Sequence, residues 1–331
     1  MEPYIQDWLD ILGQMVNTNT YKLAFGLGIL ECASSERYEE DIFGTVDISL
    51  QDIADCMIRY YWNQCFFFKL KQQPGNKVPY IYQYVDELIK RYIELSGSNL
   101  PVWSDKGLAY LARFDYEFFD KRRMKAASVL PVDVAWRLKN VNGTVKEIYM
   151  FDKTRDKSLH FRKEHIKLLQ DYSSVLSRLF SYKWSQLLEK WNESPRLLSK
   201  VIGASDSEIR RHSLTEFKKP LLLQFGSGPI LDFYTHKPLK TDEISIDHVI
   251  PWSYLYSDDI WNLVVTSKSV NSQKSNATPE KKWIDALKAR NDILLPLVKN
   301  AKMERFEEDL LEAQISQLVD RYYFGLTRTY L

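Results

Sequence analysis

Apolar positions through the first third of the chain recur every three to four residues, which predicts helices that each bury one face. Asn19-Thr20 stand before the apolar run Tyr21–Leu30 as an N-terminal cap. Ser49, three residues before Asp52, opens a second amphipathic helix over Leu50–Trp62 in the manner of a capping box. Gln73-Pro74-Gly75-Asn76 predicts a turn, and a helix over Tyr82–Leu95 is closed by Ser96-Gly97-Ser98. The period then changes. Between Val134 and Asp152 two β-rich stretches flank Asn140-Val141-Asn142-Gly143, a hairpin signal with Asn-Gly at its turn. A long helix is predicted from Lys163 to about Trp191, broken by residues 192–195. Ile230–Tyr234, a turn at His236–Pro238 and Ile244–Val249 read as strand, turn, strand, with Pro251 stopping the second strand. A helix follows near Asn271–Ser275, and further helices cover Lys302–Tyr323.

These elements predict an α+β chain, mainly helical, in three parts: a helical accessory domain over 1–125, a basic segment with a β-hairpin and a long helix over 126–212, and a compact α+β domain over 213–331. The 331 residues suffice for about two domains and a core that needs no staples. Nine Trp, twenty Tyr and sixteen Phe exclude disorder as the main state. No apolar run is long enough to cross a membrane, and the N-terminus lacks the pattern of a secretory signal. The three cysteines show no CxxC spacing, which argues against a disulfide framework and predicts a reducing, cytoplasmic setting.

The net charge of +1 conceals an asymmetry. Residues 1–120 carry 18 Asp/Glu against 10 Lys/Arg, whereas residues 121–219 carry 22 Lys/Arg against 11 Asp/Glu. A basic middle third is suited to a polyanion, because lysine and arginine neutralise phosphates. Lys121, Arg122, Arg123, Arg162, Lys163, Arg210, Arg211, Lys218 and Lys219 are its candidate nucleic-acid contacts. The alternative is that this face pairs with the acidic first third. A regulatory form of that alternative has residues 1–120 covering the basic surface until substrate or a partner displaces them.

The chemistry concentrates between Pro229 and Pro279. Asp247-His248 end a predicted strand, Asn262 follows the histidine by 14 residues and Asn271 by 23, and Lys274 stands one helical turn beyond Asn271. Taken singly, each is ordinary: Asn271 would serve as a helix cap and Lys274 as a solvated lysine. Taken together, the stretch from Ile246 to Ser275 resembles the core of HNH endonucleases, the ββα-metal nucleases, and the segment from Leu187 to Ile202 resembles the lead-in of stand-alone bacterial members. The resemblance covers about residues 184–290 and describes an H-N-N variant.

That resemblance implies a divalent-metal-dependent endonuclease, with DNA favoured over RNA, in bacterial restriction or anti-phage defence; the competing class is a nucleic-acid-binding protein on an inactive scaffold. It implies His248 as general base, Asp247 and Asn271 as ligands of one Mg²⁺ or Mn²⁺, Asn262 as a brace for the loop behind the histidine, and Lys274 as a contact to the scissile phosphate. An imidazole that titrates near neutrality suits the first role, and oxygen ligands suit a hard cation. Many family members also carry two CxxC pairs around a structural zinc. Here those places read Phe233-Tyr234-Thr235-His236 and Ser267-Lys268-Ser269-Val270, so no structural zinc is expected. Phe233, Tyr234, Trp252, Trp261 and Trp283 are expected to hold the small fold by packing instead. His236 reads as a polar turn residue, His212 as part of the basic set, and His160 and His165 carry no assigned role. Dimerisation through the C-terminal helices and a protein partner for the first third are further expectations.

Overall fold

The computed structural model describes residues 2–74, 80–205, 213–274 and 276–328. Gly75 and Asn76 of the predicted turn, and Arg210, Arg211 and His212 of the basic set, lie outside the described residues. The chain is a mainly helical α+β protein divided into two compact units: one of residues 1–192 with 197–207, the other of residues 193–196 with 208–331.

The first unit begins with α1 (Pro3–Gln14) and α2 (Tyr21–Ser34). Asn19 Oδ1 accepts the backbone N–H of Tyr21 at the start of α2. Strands β1 (Glu39–Glu40) and β2 (Thr45–Ser49) lead into α3 (Leu50–Trp62), where the Ser49 hydroxyl caps the Gln51 N–H. Helices α4 (Tyr80–Ser96), α5 (Ser104–Phe114) and α6 (Tyr116–Leu130) follow. A π-helical turn (Pro131–Ala135) and the short α7 (Trp136–Leu138) come next. Strands β3 (Asn140–Val141), β4 (Thr144–Val145) and β5 (Ser158–Arg162) precede α8 (Lys163–Leu188), and α9 (Leu197–Ser205) completes the unit. β2 pairs antiparallel with both β1 and β5. Helix α2 is apolar on every side because it runs through the middle of the unit, and Gly26 lets Phe180 of α8 approach so closely that a Cβ would meet its ring at 2.3 Å.

Two expectations fail here. Residues 134–138 are helical, not a strand: α6 runs on through the π turn, which buries Val134, Ala135 and Leu138 on one side. Only the tip of the predicted hairpin survives, where Asn142 and Gly143 both adopt positive φ between β3 and β4. Nor is residue 125 a boundary between compact units, since α6 passes through it and residues 126–192 pack with the N-terminal helices.

Part of the charge asymmetry is resolved inside this unit. Arg123 Nε donates to Asp55 Oδ1 at 2.9 Å and Nη1 to Asp120 at 3.1 Å, while Arg122 pairs with Glu87. Lys163 pairs with Glu40 at 2.7 Å, and Lys146 bridges Asp7 and Asp10 at 2.8 Å each. Acidic first third and basic middle thus belong to one compact unit and are tied to each other at these points. A detachable cover formed by residues 1–120 does not fit this arrangement, because removing them would strip α6 and α8 of the helices they pack on. Lys121, Arg162, Lys218 and Lys219 take no ion pair among the described residues.

In the second unit, α10 (Thr215–Leu222) is followed by a tight loop over residues 230–239, then by β6 (Ile244–His248), α11 (Trp252–Leu255), β7 (Leu263–Ser267) and α12 (Lys268–Lys274). Three helices, α13 (Lys281–Asn300), α14 (Glu304–Ile315) and α15 (Leu318–Arg328), complete it. β6 and β7 pair antiparallel with Ile246 opposite Val265 and His248 opposite Leu263. One apolar core runs from Phe217 and Leu221 through the two strands to Leu287, Leu294, Leu310 and Leu326. Leu310 is thus intramolecular core, whereas Leu311 and Ile315 are exposed.

The predicted pairing of 230–234 with 244–249 is corrected. The turn at His236 is present, with φ +55°, but its two limbs bridge each other at Leu231 and Pro238, and β6 takes β7 as its partner. The reason is Asp232, whose Oδ1 accepts the N–H groups of Tyr234 and Thr235 and bends the chain where a strand was expected.

Candidate active site

β6, β7 and α12 form a strand–strand–helix unit, and the residues singled out in the sequence sit at its joints. Asp247 and His248 end β6, and their side chains find different partners, as alternation along a strand requires. Asp247 Oδ2 accepts the Tyr234 hydroxyl at 2.6 Å and the Lys274 ammonium at 3.0 Å. Burial and the adjacent Asp247 carboxylate push the Tyr234 phenol far above its ordinary range, so it remains a donor. The Lys274 ammonium also donates to the His248 backbone carbonyl at 2.6 Å and lies 5.8 Å from the centre of the Tyr234 ring.

One turn earlier on α12, the Asn271 amide nitrogen donates to Ser245 Oγ at 2.9 Å and to the Ile246 carbonyl at 3.2 Å. Its Oδ1, like Oδ1 of Asp247, receives no protein donor among the described residues. A carboxylate oxygen and an amide oxygen, each held by its other polar atom, are the hard oxygen ligands that Mg²⁺ or Mn²⁺ takes together with water. The two residues therefore fit such a cation.

Asn262 is fully buried, and its side chain closes a ring with one residue of the loop after His248: Oδ1 accepts the Ile250 N–H and Nδ2 donates to the Ile250 carbonyl, both at 2.8 Å. The Asn262 carbonyl accepts the Val249 N–H at 3.0 Å. Behind it, the buried Arg290 donates to the carbonyls of Ile260 and Trp261, and Asn291 donates to that of Trp261. Burial pushes the Arg290 guanidinium down to about 9, which still leaves it charged at neutral pH.

Two carboxylates were not anticipated from the sequence. Asp258 Oδ1 accepts from His248 Nε2 at 2.9 Å, and the two side chains are only 17% and 11% exposed. Asp232 is almost wholly buried; besides its two turn contacts, its Oδ2 accepts the Thr266 hydroxyl at 2.9 Å and the Ser267 N–H at 2.8 Å. Burial would raise this carboxyl, but the four donors outweigh it and hold its pKa below the usual range. Three of the donors, Tyr234, Thr235 and Ser267, lie in the two stretches that carry CxxC pairs in many family members, and Thr266 stands immediately before the second, so a buried anion ties these joints together. Aromatic packing adds to it: Phe233 and Tyr234 contact Trp283, with ring centres 5.8 and 5.1 Å apart. Trp252 and Trp261 pack away from this joint, against Tyr256 and Tyr322. The sequence signal for both aspartates is position alone, Asp232 just before the first of those stretches and Asp258 between His248 and Asn262, 10 residues after the histidine.

A strand–strand–helix unit with Asp-His at the end of its first strand and Asn at its helix is the architecture of the ββα-metal nucleases. The HNH_4 family model, described as HNH endonuclease, matches residues 232–280, and the C-terminal region of the chain carries an HNH nuclease domain. No curated protein and no solved structure matches the chain. No helix among the described residues is long and apolar enough to cross a membrane.

Proposed function

We propose that this protein is an endonuclease that hydrolyses phosphodiester bonds in DNA with the help of one divalent cation. The observation that carries the reading is the joint placement of Asp247, His248, Asn271 and Lys274 on β6 and α12, within the segment that matches the HNH family. His248 accepts a proton from the water that attacks phosphorus. Asp247 and Asn271 supply the oxygen ligands of the cation, which when bound neutralises charge on the phosphate and the leaving oxygen. Lys274, already beside Asp247, adds positive charge where negative charge develops. Asn262 fixes the backbone that follows the base. Lys218 and Lys219, together with Lys121 and Arg162, are proposed contacts to the sugar-phosphate backbone, which position without reading sequence. A setting in restriction or anti-phage defence is proposed from the resemblance to stand-alone bacterial members.

The test is incubation of the purified protein with plasmid, single-stranded DNA and total RNA, each with Mg²⁺, Mn²⁺ or chelator. Cleavage of plasmid that requires the cation supports the reading. Cleavage of RNA alone moves the substrate, and binding without cleavage of any of the three refutes it in favour of an inactive scaffold.

A further inference from the structure

We infer that Asp258 is a positioning residue that sets the tautomer and the aim of the His248 ring; the inference deepens the nuclease reading and rests on it. A carboxylate can only accept, so the ring nitrogen facing Asp258 Oδ1 at 2.9 Å, Nε2, carries the hydrogen. That leaves the lone pair on Nδ1, which has no partner among the described residues. The nitrogen free to take a proton is therefore chosen by Asp258.

The segment that carries this carboxylate is itself held. Its neighbours on both sides are anchored: the Ser257 hydroxyl donates to Asp259 Oδ2 at 2.6 Å, and the Asn262 N–H donates to the Asp259 carbonyl at 3.0 Å. The same segment supplies Asn262, which grips Ile250, so one stretch of chain fixes both the ring of His248 and the backbone that follows it. Arg290 and Asn291 hold that stretch from α13 through the carbonyls of Ile260 and Trp261.

In the step itself, the water oxygen forms a bond to phosphorus and the bond to the leaving sugar oxygen breaks. The water proton passes to His248 Nδ1, and the leaving oxygen is protonated from solvent. The imidazolium that results is stabilised by the Asp258 carboxylate at its other nitrogen, an interaction that is stronger after proton transfer than before it. Asp258 touches neither water nor phosphate; it acts through the histidine.

Two measurements on the full-length protein test this. In long-range ¹H–¹⁵N spectra at a pH where His248 is neutral, its resonances should show hydrogen on Nε2, and Asp258→Ala should give a mixture of tautomers. In plasmid cleavage with Mg²⁺, Asp258→Ala should lower kcat by about 10- to 100-fold, the scale on which losing the partner behind a metal-ligating histidine costs activity, with KM unchanged. Asp258→Glu should restore part of the rate. Hydrogen on Nδ1 in the wild-type spectrum overturns the proposal, and so does a folded Asp258→Ala that keeps full kcat. If the wild-type protein cleaves no nucleic acid, the nuclease reading fails, while the tautomer of the wild-type ring still decides the dyad even where a variant does not fold.

Discussion

The carboxylate of Asp232 accepts the backbone N–H of Ser267 at 2.8 Å, joining the start of the matched segment to the end of its second strand, 35 residues later. With Thr266, Tyr234 and Thr235 as its other donors, this buried anion holds the two joints between which β6 lies.

Because those donors hold the Asp232 carboxyl below its ordinary pKa, it adds stability above its unfolded value near ~3.9 and loses it as pH falls through the folded value. Asp232→Asn replaces an acceptor oxygen by a donor facing donors, which should cost about 2–3 kcal/mol at neutral pH. Denaturation curves should show the variant and wild type converging as pH drops below about 4. A variant as stable as wild type at pH 7 refutes the staple.

His248→Ala should reduce cleavage to background while the affinity for DNA, measured in chelator, stays within about twofold, since the imidazole acts on the attacking water and not on the phosphate backbone. Retained cleavage would exclude His248 as the base.

Asn271→Ala removes an oxygen ligand and a tie between α12 and β6. Mn²⁺ titration followed by electron paramagnetic resonance should show weaker binding, by about tenfold, whatever the substrate. Equal binding in the two proteins would count against a ligand at this position.

Asn262→Ala leaves the Ile250 N–H and carbonyl buried without partners. A loss of about 2–4 kcal/mol is expected in chemical denaturation, together with a fall in kcat and little change in DNA affinity. A rate loss with no loss of stability would instead point to direct contact with substrate.

The ion pair of Arg123 with Asp55 is mostly out of water and two-pronged, so Arg123→Ala should destabilise by about 1 kcal/mol and leave DNA affinity unchanged. Lys218→Ala with Lys219→Ala should do the reverse: stability holds, while the slope of log affinity against log salt becomes shallower by about 1–2. If Arg123→Ala alone alters the salt slope, its pairing with Asp55 yields to phosphate.

The helices were legible where amphipathic spacing coincided with a cap: Ser49 marks the start of α3, and the predicted end at Trp62 is its observed end. β composition misled at Val134–Leu138, because a preceding helix and a buried face outweighed the β-branched residues. The strand pairing at 230–249 was misread for a related reason. Local alternation does not say which strand is the partner, and β7 lies beyond a loop whose path is set by Asp258, Asp259 and Asn262. The spacing of Asp247, His248, Asn262 and Asn271 was visible in the chain because it is a property of sequence. Asp232 and Asp258 act through burial and hydrogen bonding across 34 and 10 residues, and no local pattern reports that. Charge counts proved equally mute on pairing: Arg122, Arg123 and Lys163 look alike to Lys121 and Arg162 until their neighbours are known.

The core of the second unit threads from β6 and β7 to Leu294, Val298, Leu310 and Leu326, far past the end of the matched stretch at residue 280. The segment that bears the chemistry is therefore smaller than the segment that folds. Grafting residues 232–280 onto another scaffold would transplant the proposed reactive groups with their greasy underside bare, so any minimal HNH domain cut from this protein must keep its last three helices.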